Sequence, residues 1–298
     1  MTRPVLQIAD LGVSVPESTR TDGGDGALTL VEGVSLALAR GERVALVGES
    51  GSGKSMTAKA VMRLDPTVDL SGSIPINGAE IVGAPERAVP GLRGSAVSMV
   101  FQDPMTALNP VLTIGDQVTE PLRLRGVSRR EARRRAIDML DRLGVPSAAR
   151  RMDAYPYEFS GGMRQRVVMA AALIGEPDLL IADEPTTALD VRVQEQVLDL
   201  LEEQSRELGL AVLLITHDLA IVAGFAHRVA VMRHGRIVED RPVDELFAGP
   251  RHPYTRGLLA SIPSVDDDPT ARLRTVDDVM REDAALAASA ANAQEVRP

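Results

Sequence analysis

The run Arg43-Val-Ala-Leu-Val47, followed at once by Gly48-Glu-Ser-Gly-Ser-Gly-Lys-Ser55, constrains this chain more than any other feature. Five residues of strand length read as a buried strand. The glycines break it, and the pattern from Ser55 to Leu64 is helical. A strand feeding a Gly-rich loop feeding a helix is the context in which a G-x-x-x-x-G-K-[ST] match carries meaning. Gly51 and Gly53 let the backbone curl so that amide N–H groups point at phosphate oxygens. The helix behind them adds its positive N-terminal end. The candidate phosphate cradle is therefore Gly48, Ser50, Gly51, Gly53, Lys54, Ser55 and Met56. Lys54 would reach the β- and γ-phosphates, and the Ser55 hydroxyl would bind Mg²⁺. The bland alternative is a chance Gly-rich turn.

Composition narrows the class. At 298 residues the chain can bury a large core in one or two domains. Aromatic residues make up only 2%, so Val, Leu, Ile, Ala and Met must fill that core. A formal charge of −9 argues against a nucleic-acid binder. With no cysteine, disulfides, thiolate nucleophiles and Cys-ligated metal sites are excluded. The longest apolar run, Val167 to Ile174, falls well short of the roughly 18 residues of a spanning helix. The first residues lack the apolar stretch of a secretory signal. A soluble or peripheral protein of the cytoplasm is expected, with any membrane contact made through a partner.

Val5 to Val15 and Leu28 to Leu38 read as strands, and Ala96 to Phe101 as another. Ser71 to Val82 is a short β segment that Pro75 marks as an edge. Helical pattern covers Thr113 to Leu143 and Val167 to Ile174. Leu179 to Ala182 and Ala211 to Ile215 are apolar runs of strand length. Between them, Val191 to Leu208 is helical, with Leu and Val at three- and four-residue spacing. Strand, helix, strand suggests parallel-sheet units with crossover helices, hence an α/β fold. The expected division is a core over 1–100 and 177–248, a helical insert over 101–176, and a C-terminal extension over 249–298. The stretch from Val265 onward, acidic and then Ala-rich, reads as disordered.

Chemistry gathers at the expected strand ends. Asp183 and Glu184 close the run Leu179-Leu-Ile-Ala182, where open α/β sheets bind ligands. Asp183 would hold Mg²⁺ and Glu184 would orient or deprotonate an attacking water; an acidic strand end before a Pro turn is the alternative. His217 follows Val212-Leu-Leu-Ile-Thr216 and could approach the γ-phosphate. Gln102 opens the insert, where its amide could touch Mg²⁺ or the water. Ser160-Gly161-Gly162 precedes a helix near Met163, as an ordinary cap or as an anion site. The cluster Arg129-Arg-Glu-Ala-Arg-Arg-Arg135 reads as a solvated helix surface, with Ile137 and Leu140 on the buried side.

Taken together and in this order, these pieces resemble the ATP-binding cassette (ABC) ATPases. Walker A falls on Gly48–Ser55, the Q-loop on Gln102, the signature on Ser160–Gln165 and Walker B on Leu179–Asp183. Glu184 falls on the catalytic glutamate, Ala188-Leu-Asp190 on the D-loop and His217 on the H-loop. Finer likeness is to the importer subgroup for oligopeptides, dipeptides and nickel. It rests on Phe101-Gln-Asp-Pro-Met-Thr-Ala-Leu-Asn-Pro110, on Tyr155 to Arg166 with Met163 where most members have Gln, and on His252 to Pro263. The resemblance implies a P-loop NTPase core with an antiparallel β subdomain and a helical insert subdomain. It implies ATP and Mg²⁺ as cofactors, and a head-to-tail pair with a second, different ATPase subunit. Each ATP would lie between Walker A of one subunit and Ser160, Gly161 and Gly162 of the other, with Asp190 beside it. Two permease subunits and, indirectly, an extracytoplasmic solute-binding protein complete the expected partners, with no nucleic acid. The chain would sit peripherally on the cytoplasmic face of the membrane.

Two departures stand out. The aromatic residue that the family stacks on adenine is replaced here by Val15, and the cysteine-rich C-terminal segment of many relatives, able to hold an iron–sulfur cluster, has no counterpart. Against the importer stand a soluble ABC ATPase of DNA repair or translation, and a small-molecule kinase. Only about a hundred residues separate Lys54 from Ser160, without the sustained heptads of repair relatives, and the single cassette is unlike most translation relatives. A kinase leaves the signature and His217 unexplained.

Overall fold

Unbroken apolar runs form the centre of a six-stranded sheet, and alternating runs form a second, antiparallel one. The computed structural model describes residues 3–19, 26–86, 89, 91–94, 96–101, 103–186, 189–261 and 275–281. In chain order the first elements are β1 (Leu6–Val15), β2 (Leu28–Leu38), β3 (Arg43–Val47), α1 (Lys54–Met62), β4 (Asp69–Ser73), β5 (Pro75–Ile76) and β6 (Ala79–Glu80). Next come β7 (Val97–Val100), α2 (Pro104–Ala107), α3 (Ile114–Leu124), α4 (Arg129–Arg142), α5 (Ala148–Arg151) and α6 (Gly161–Leu173). The chain continues through β8 (Leu179–Asp183), α7 (Val191–Leu208), β9 (Ala211–Ile215) and α8 (Leu219–Phe225). It closes with β10 (Arg228–Arg233), β11 (Arg236–Pro242), α9 (Val243–Ala248) and α10 (Pro253–Ala260).

The main sheet runs β11-β10-β3-β9-β8-β7. Its five strands from β10 to β7 are parallel, and β11 pairs antiparallel at one edge. β3, β8 and β9 are buried at every position, because both sheet faces are covered. The period of two sorts their side chains. Val44, Leu46, Ile181 and Leu213 face a core shared with α1 and the antiparallel sheet. Leu180, Ala182, Val212 and Leu214 face the core of the helices α3 to α7. Ala45, Val47, Val229 and Val231 meet a third cluster with Leu246 and Tyr254. The antiparallel sheet, ordered β2-β1-β5-β6 with β4 also on β1, packs over α1.

Local differences from the sequence reading have local causes. The helical pattern over Thr113 to Leu143 is two helices, because Gly126 takes φ +80° and Ser128 starts α4 by accepting from the Glu131 N–H at 3.3 Å. The segment from Ser71 to Val82 is split among β4, β5 and β6, turned by Asn77 and Gly78 in left-handed conformation. α6 begins at Gly161 rather than Met163, since Ser160 is its N-cap. Of the stretch from Val265 onward, expected to be disordered, residues 276–281 are helical; Val279 is buried, and Val276 and Met280 pack against the third cluster. The remainder of that stretch lies outside the described residues.

Three arginines of the α4 cluster, Arg133, Arg134 and Arg135, are paired with carboxylates. Arg133 meets Asp153 through two bonds of 2.9 and 2.8 Å, Arg134 meets Glu131 and Asp138, and Arg135 meets Glu176. Ala132, Ala136 and Leu140 face inward, with Ile137 partly buried against the same core. No helix among the described residues is long and apolar enough to cross a membrane.

Candidate nucleotide site

Three strands deliver their carboxyl ends to one place. Ile215 of β9 pairs with Leu46 of β3 on one side and with Asp183 of β8 on the other. The loops leaving β3, β8 and β9 therefore emerge side by side, about 4.8 Å apart per strand. A cleft of about 560 Å³ opens there. Gly48, Ser50, Gly51, Gly53, Lys54, Ser55 and Met56 line one side, and Glu184 and His217 the other.

The loop cannot be built with side chains at two points. Gly48 has φ +153°, and a Cβ there would lie 2.1 Å from the Met232 carbonyl of β10. Gly53 has φ +105°, and its Cβ would meet the Met232 methyl at 2.8 Å. Gly53 is also the N-cap of α1 and offers no side chain to the first turn. The N–H groups of Lys54, Ser55 and Met56 thus lack intrahelical acceptors at a site that suits an anion. Lys54 is buried; its Nζ donates to the Gly48 and Glu49 carbonyls at 2.7 Å each and to Ser52 Oγ at 3.3 Å. Burial pushes its pKa down, against the pull of Glu184, Asp183 and Glu49.

Asp183 is 4% exposed, and its Oδ1 has no hydrogen-bond partner among the described residues. Burial raises its pKa, and the Ser55 hydroxyl hydrogen-bonds to it and opposes the rise. A buried carboxylate with an open oxygen beside a hydroxyl is an all-oxygen donor set, which fits a hard divalent cation held in part by substrate phosphates. Glu184 adopts φ +48°, a strained backbone for a side chain of its size, and its N–H donates to the Ile215 carbonyl at 2.9 Å. Its Oε1 lies 3.0 Å from His217 Nδ1.

The remaining candidates are elsewhere. Ser160, Gly161 and Gly162 start α6 and do not line the cleft; Ser160 Oγ accepts from the Met163 N–H at 3.4 Å, and the side of Gly161 is open. Asp190 caps α7 by accepting from the Val193 N–H at 3.1 Å and also stands apart from the cleft. Gln102 and Ala188 lie outside the described residues. Val15 is not among the residues that line the cleft; besides Met56, the apolar residue there is Leu30 of β2, which sequence reasoning passed over. It placed Gln165 only at the end of the signature and gave it no contact; buried in α6, its Nε2 donates to the Pro185 carbonyl behind Glu184. A Gln inside a helical run carries no mark of such a long-range contact.

A profile of the ABC transporter family matches residues 31–187, which include the phosphate loop, the signature serine and both carboxylates of the cleft. This chain belongs to the ABC transporter family. A second profile, the oligopeptide/dipeptide transporter C-terminal region, matches residues 238–286. A curated Brucella abortus protein, provisionally named a peptide import ATP-binding protein, is 50% identical over 270 residues, spanning 90% of this chain and 80% of its own. One of Brucella melitensis with the same provisional name is 53% identical over 250 residues, spanning 80% and 74%. Among solved structures, a dimeric ATP-binding cassette in a post-hydrolysis state, bound to ADP and phosphate, superposes with TM-score 0.71. It is 27% identical and covers 80% of this chain and 98% of its own. CbiO1 of Clostridium perfringens, part of an ABC transporter complex, gives TM-score 0.67 at 28% identity, covering 82% and 91%. The ABC ATPase of this chain binds and hydrolyses ATP, with the doubly covered α/β core and the antiparallel sheet described above.

Proposed function

We propose that this chain is the ATP-hydrolysing subunit of an importer for di- or oligopeptides, held peripherally on the cytoplasmic face of the membrane. One observation carries the reading. The region matched to oligopeptide and dipeptide transporters is built into the cassette, with Glu239 and Tyr254 buried in its core. The names of the Brucella relatives support the same cargo.

In the proposed mechanism the ATP phosphates would lie over the first turn of α1, and Lys54, still anchored on the Gly48 carbonyl, would trade its contacts to Glu49 and Ser52 for phosphate oxygens. Glu184 orients and deprotonates the attacking water, and His217 holds its carboxylate in place. Ser55 and Asp183, with Gln102, would hold Mg²⁺, which when bound neutralises charge on the phosphate oxygens. Ser160, Gly161, Gly162 and Asp190 would serve the ATP of a partner cassette, a reading supported by their placement outside the chain's own cleft. That partner is a second, different ATPase subunit, so one chain holds two half-sites.

The division into a core over 1–100 and 177–248, an insert over 101–176 and a C-terminal extension serves this mechanism. The insert exposes Phe101, Val111, Leu112 and the stacked pair Tyr155 and Tyr157, whose centroids lie 5.7 Å apart. These exposed apolar side chains suit docking on two permease subunits, which meet a solute-binding protein on the other side. The pairing of Arg133, Arg134 and Arg135 with carboxylates, in a chain of formal charge −9, supports the absence of a nucleic-acid partner.

The test is to tag the chain in its native host, extract membranes gently and identify what copurifies. Two multi-spanning permeases with a second cassette ATPase are expected, and transport of labelled dipeptides should be lost when the chain is deleted. A soluble complex holding nucleic acid would overturn the importer.

A further inference from the structure

The C-terminal extension reaches the phosphate loop. Tyr254, in the first turn of α10, is fully buried, and its Oη accepts a hydrogen bond from the Glu49 N–H at 2.9 Å. The carbonyl of that same peptide group, on Gly48, accepts from Lys54 Nζ at 2.7 Å. One peptide thus joins the tyrosine to the lysine. Hydrogen bonds at its two ends polarise each other and hold its plane in one orientation.

The tyrosine is held firmly in its turn. The Arg233 guanidinium lies over its ring, 4.9 Å from the centroid. Glu239, buried on β11, accepts from the N–H groups of Arg251 and His252 at 2.9 Å each, just before α10. His252 Nδ1 accepts from the Tyr254 N–H at 3.2 Å and caps the helix. The helical turn over 276–281 presses Val276 against Gly257, where even a Cβ would come within 3.0 Å of the Val276 Cα. None of these groups lines the cleft.

We propose that Tyr254 is a positioning residue for the nucleotide: it fixes the peptide between Gly48 and Glu49, and through it the pose of Lys54, so that the C-terminal extension sets the affinity for ATP. The inference rests on ATP binding in this cleft and is independent of the cargo. Without the hydroxyl, the freed peptide can turn to another partner in the empty protein. It must be turned back when nucleotide binds, so the cost appears as lost affinity.

Tyr254→Phe in the full chain removes one oxygen and keeps the ring under Arg233. Titration calorimetry with MgATP should show Kd raised about 5- to 50-fold, the range expected for a buried N–H left without its acceptor. Leu246→Ala is the control: Leu246 lies in the same apolar cluster on α9, and its truncation should lower the melting temperature while leaving Kd within about twofold. A Tyr254→Phe protein that binds MgATP within twofold of the parent overturns the proposal. So does a Leu246→Ala protein that loses as much affinity, since general loosening would then suffice. If Tyr254→Phe does not fold, Glu239→Gln, which disturbs the seat of α10, must raise Kd in the same direction, and an unchanged value overturns the proposal. Lys54→Ala, run in parallel, should raise Kd about 10- to 100-fold; if it binds like the parent, the cleft itself has been misread.

Discussion

Replacing Glu184 with glutamine separates two things that residue does. The amide keeps an oxygen that can accept from His217 Nδ1–H, now 3.0 Å from the carboxylate, and it keeps the side-chain volume. The backbone at φ +48° and the N–H bond to the Ile215 carbonyl are untouched. What disappears is the negative charge and the basic oxygen. A positioned general base contributes about 10²–10⁴ in rate. At about 1.36 kcal/mol per decade, that is roughly 3–5 kcal/mol of barrier. The same charge also favours the protonated form of buried Lys54, so its loss slightly weakens one attraction in the empty cleft. It also removes a repulsion from incoming phosphates, so affinity should not fall. The expected result is turnover reduced at least about 100-fold, with Kd for MgATP no more than about threefold weaker. The assay is phosphate release at saturating MgATP by the chain assembled with its partner subunits, alongside calorimetry. Turnover within about threefold of the parent would refute the assignment of Glu184 as the base.

Lys54→Met removes three donated bonds, and charge-assisted bonds to phosphate are worth enough that Kd for ATP should rise about 10- to 100-fold in calorimetry. Leu140→Ala, at a fully buried position in the helical core, should cost about 2–5 kcal/mol in urea unfolding, and a loss below about 1 kcal/mol would mean that the helices pack loosely. For Glu239, burial alone would raise the pKa, but hydrogen bonds from the Arg251 and His252 N–H groups and the nearby Arg241 guanidinium hold it below its ordinary 4.5. A depressed folded value means that its stabilisation is present above the unfolded value and lost as pH falls through the folded one. The stability gap between the parent and Glu239→Gln should therefore narrow below about pH 4.5, read by thermal unfolding across pH; a gap that widens there would refute it.

The phosphate loop is legible in the sequence because its function dictates its residues. At Gly48 a Cβ would lie 2.1 Å from the Met232 carbonyl, so only glycine fits, and the lysine and serine behind it complete a spacing that suits phosphate. Glu184 and His217 are legible for a related reason: each follows an apolar run short enough to be a strand and unbroken enough to be central. Leu30 is not legible, because an apolar residue in an alternating strand looks the same whether it faces a core or a cleft. The helical end of the chain is also hidden. An acidic, Ala-rich stretch looks solvated until Val276 meets Gly257 of α10 and Met280 joins the same apolar cluster.

By itself the sequence determined the α/β fold, the strands whose ends carry the polar residues of the cleft, and the Gly-rich loop that lines it. Those depend on local geometry and on periodicity, which neighbours in the chain control. Tertiary structure alone decided that Ile215 would stand between Leu46 and Asp183, bringing three distant loops into one cleft. It alone joined Tyr254 to Glu49, about two hundred residues away, and Gln165 to the carbonyl of Pro185. Such contacts arise where separately formed layers meet, and a single buried hydroxyl or amide leaves no periodic trace of the surface it will find.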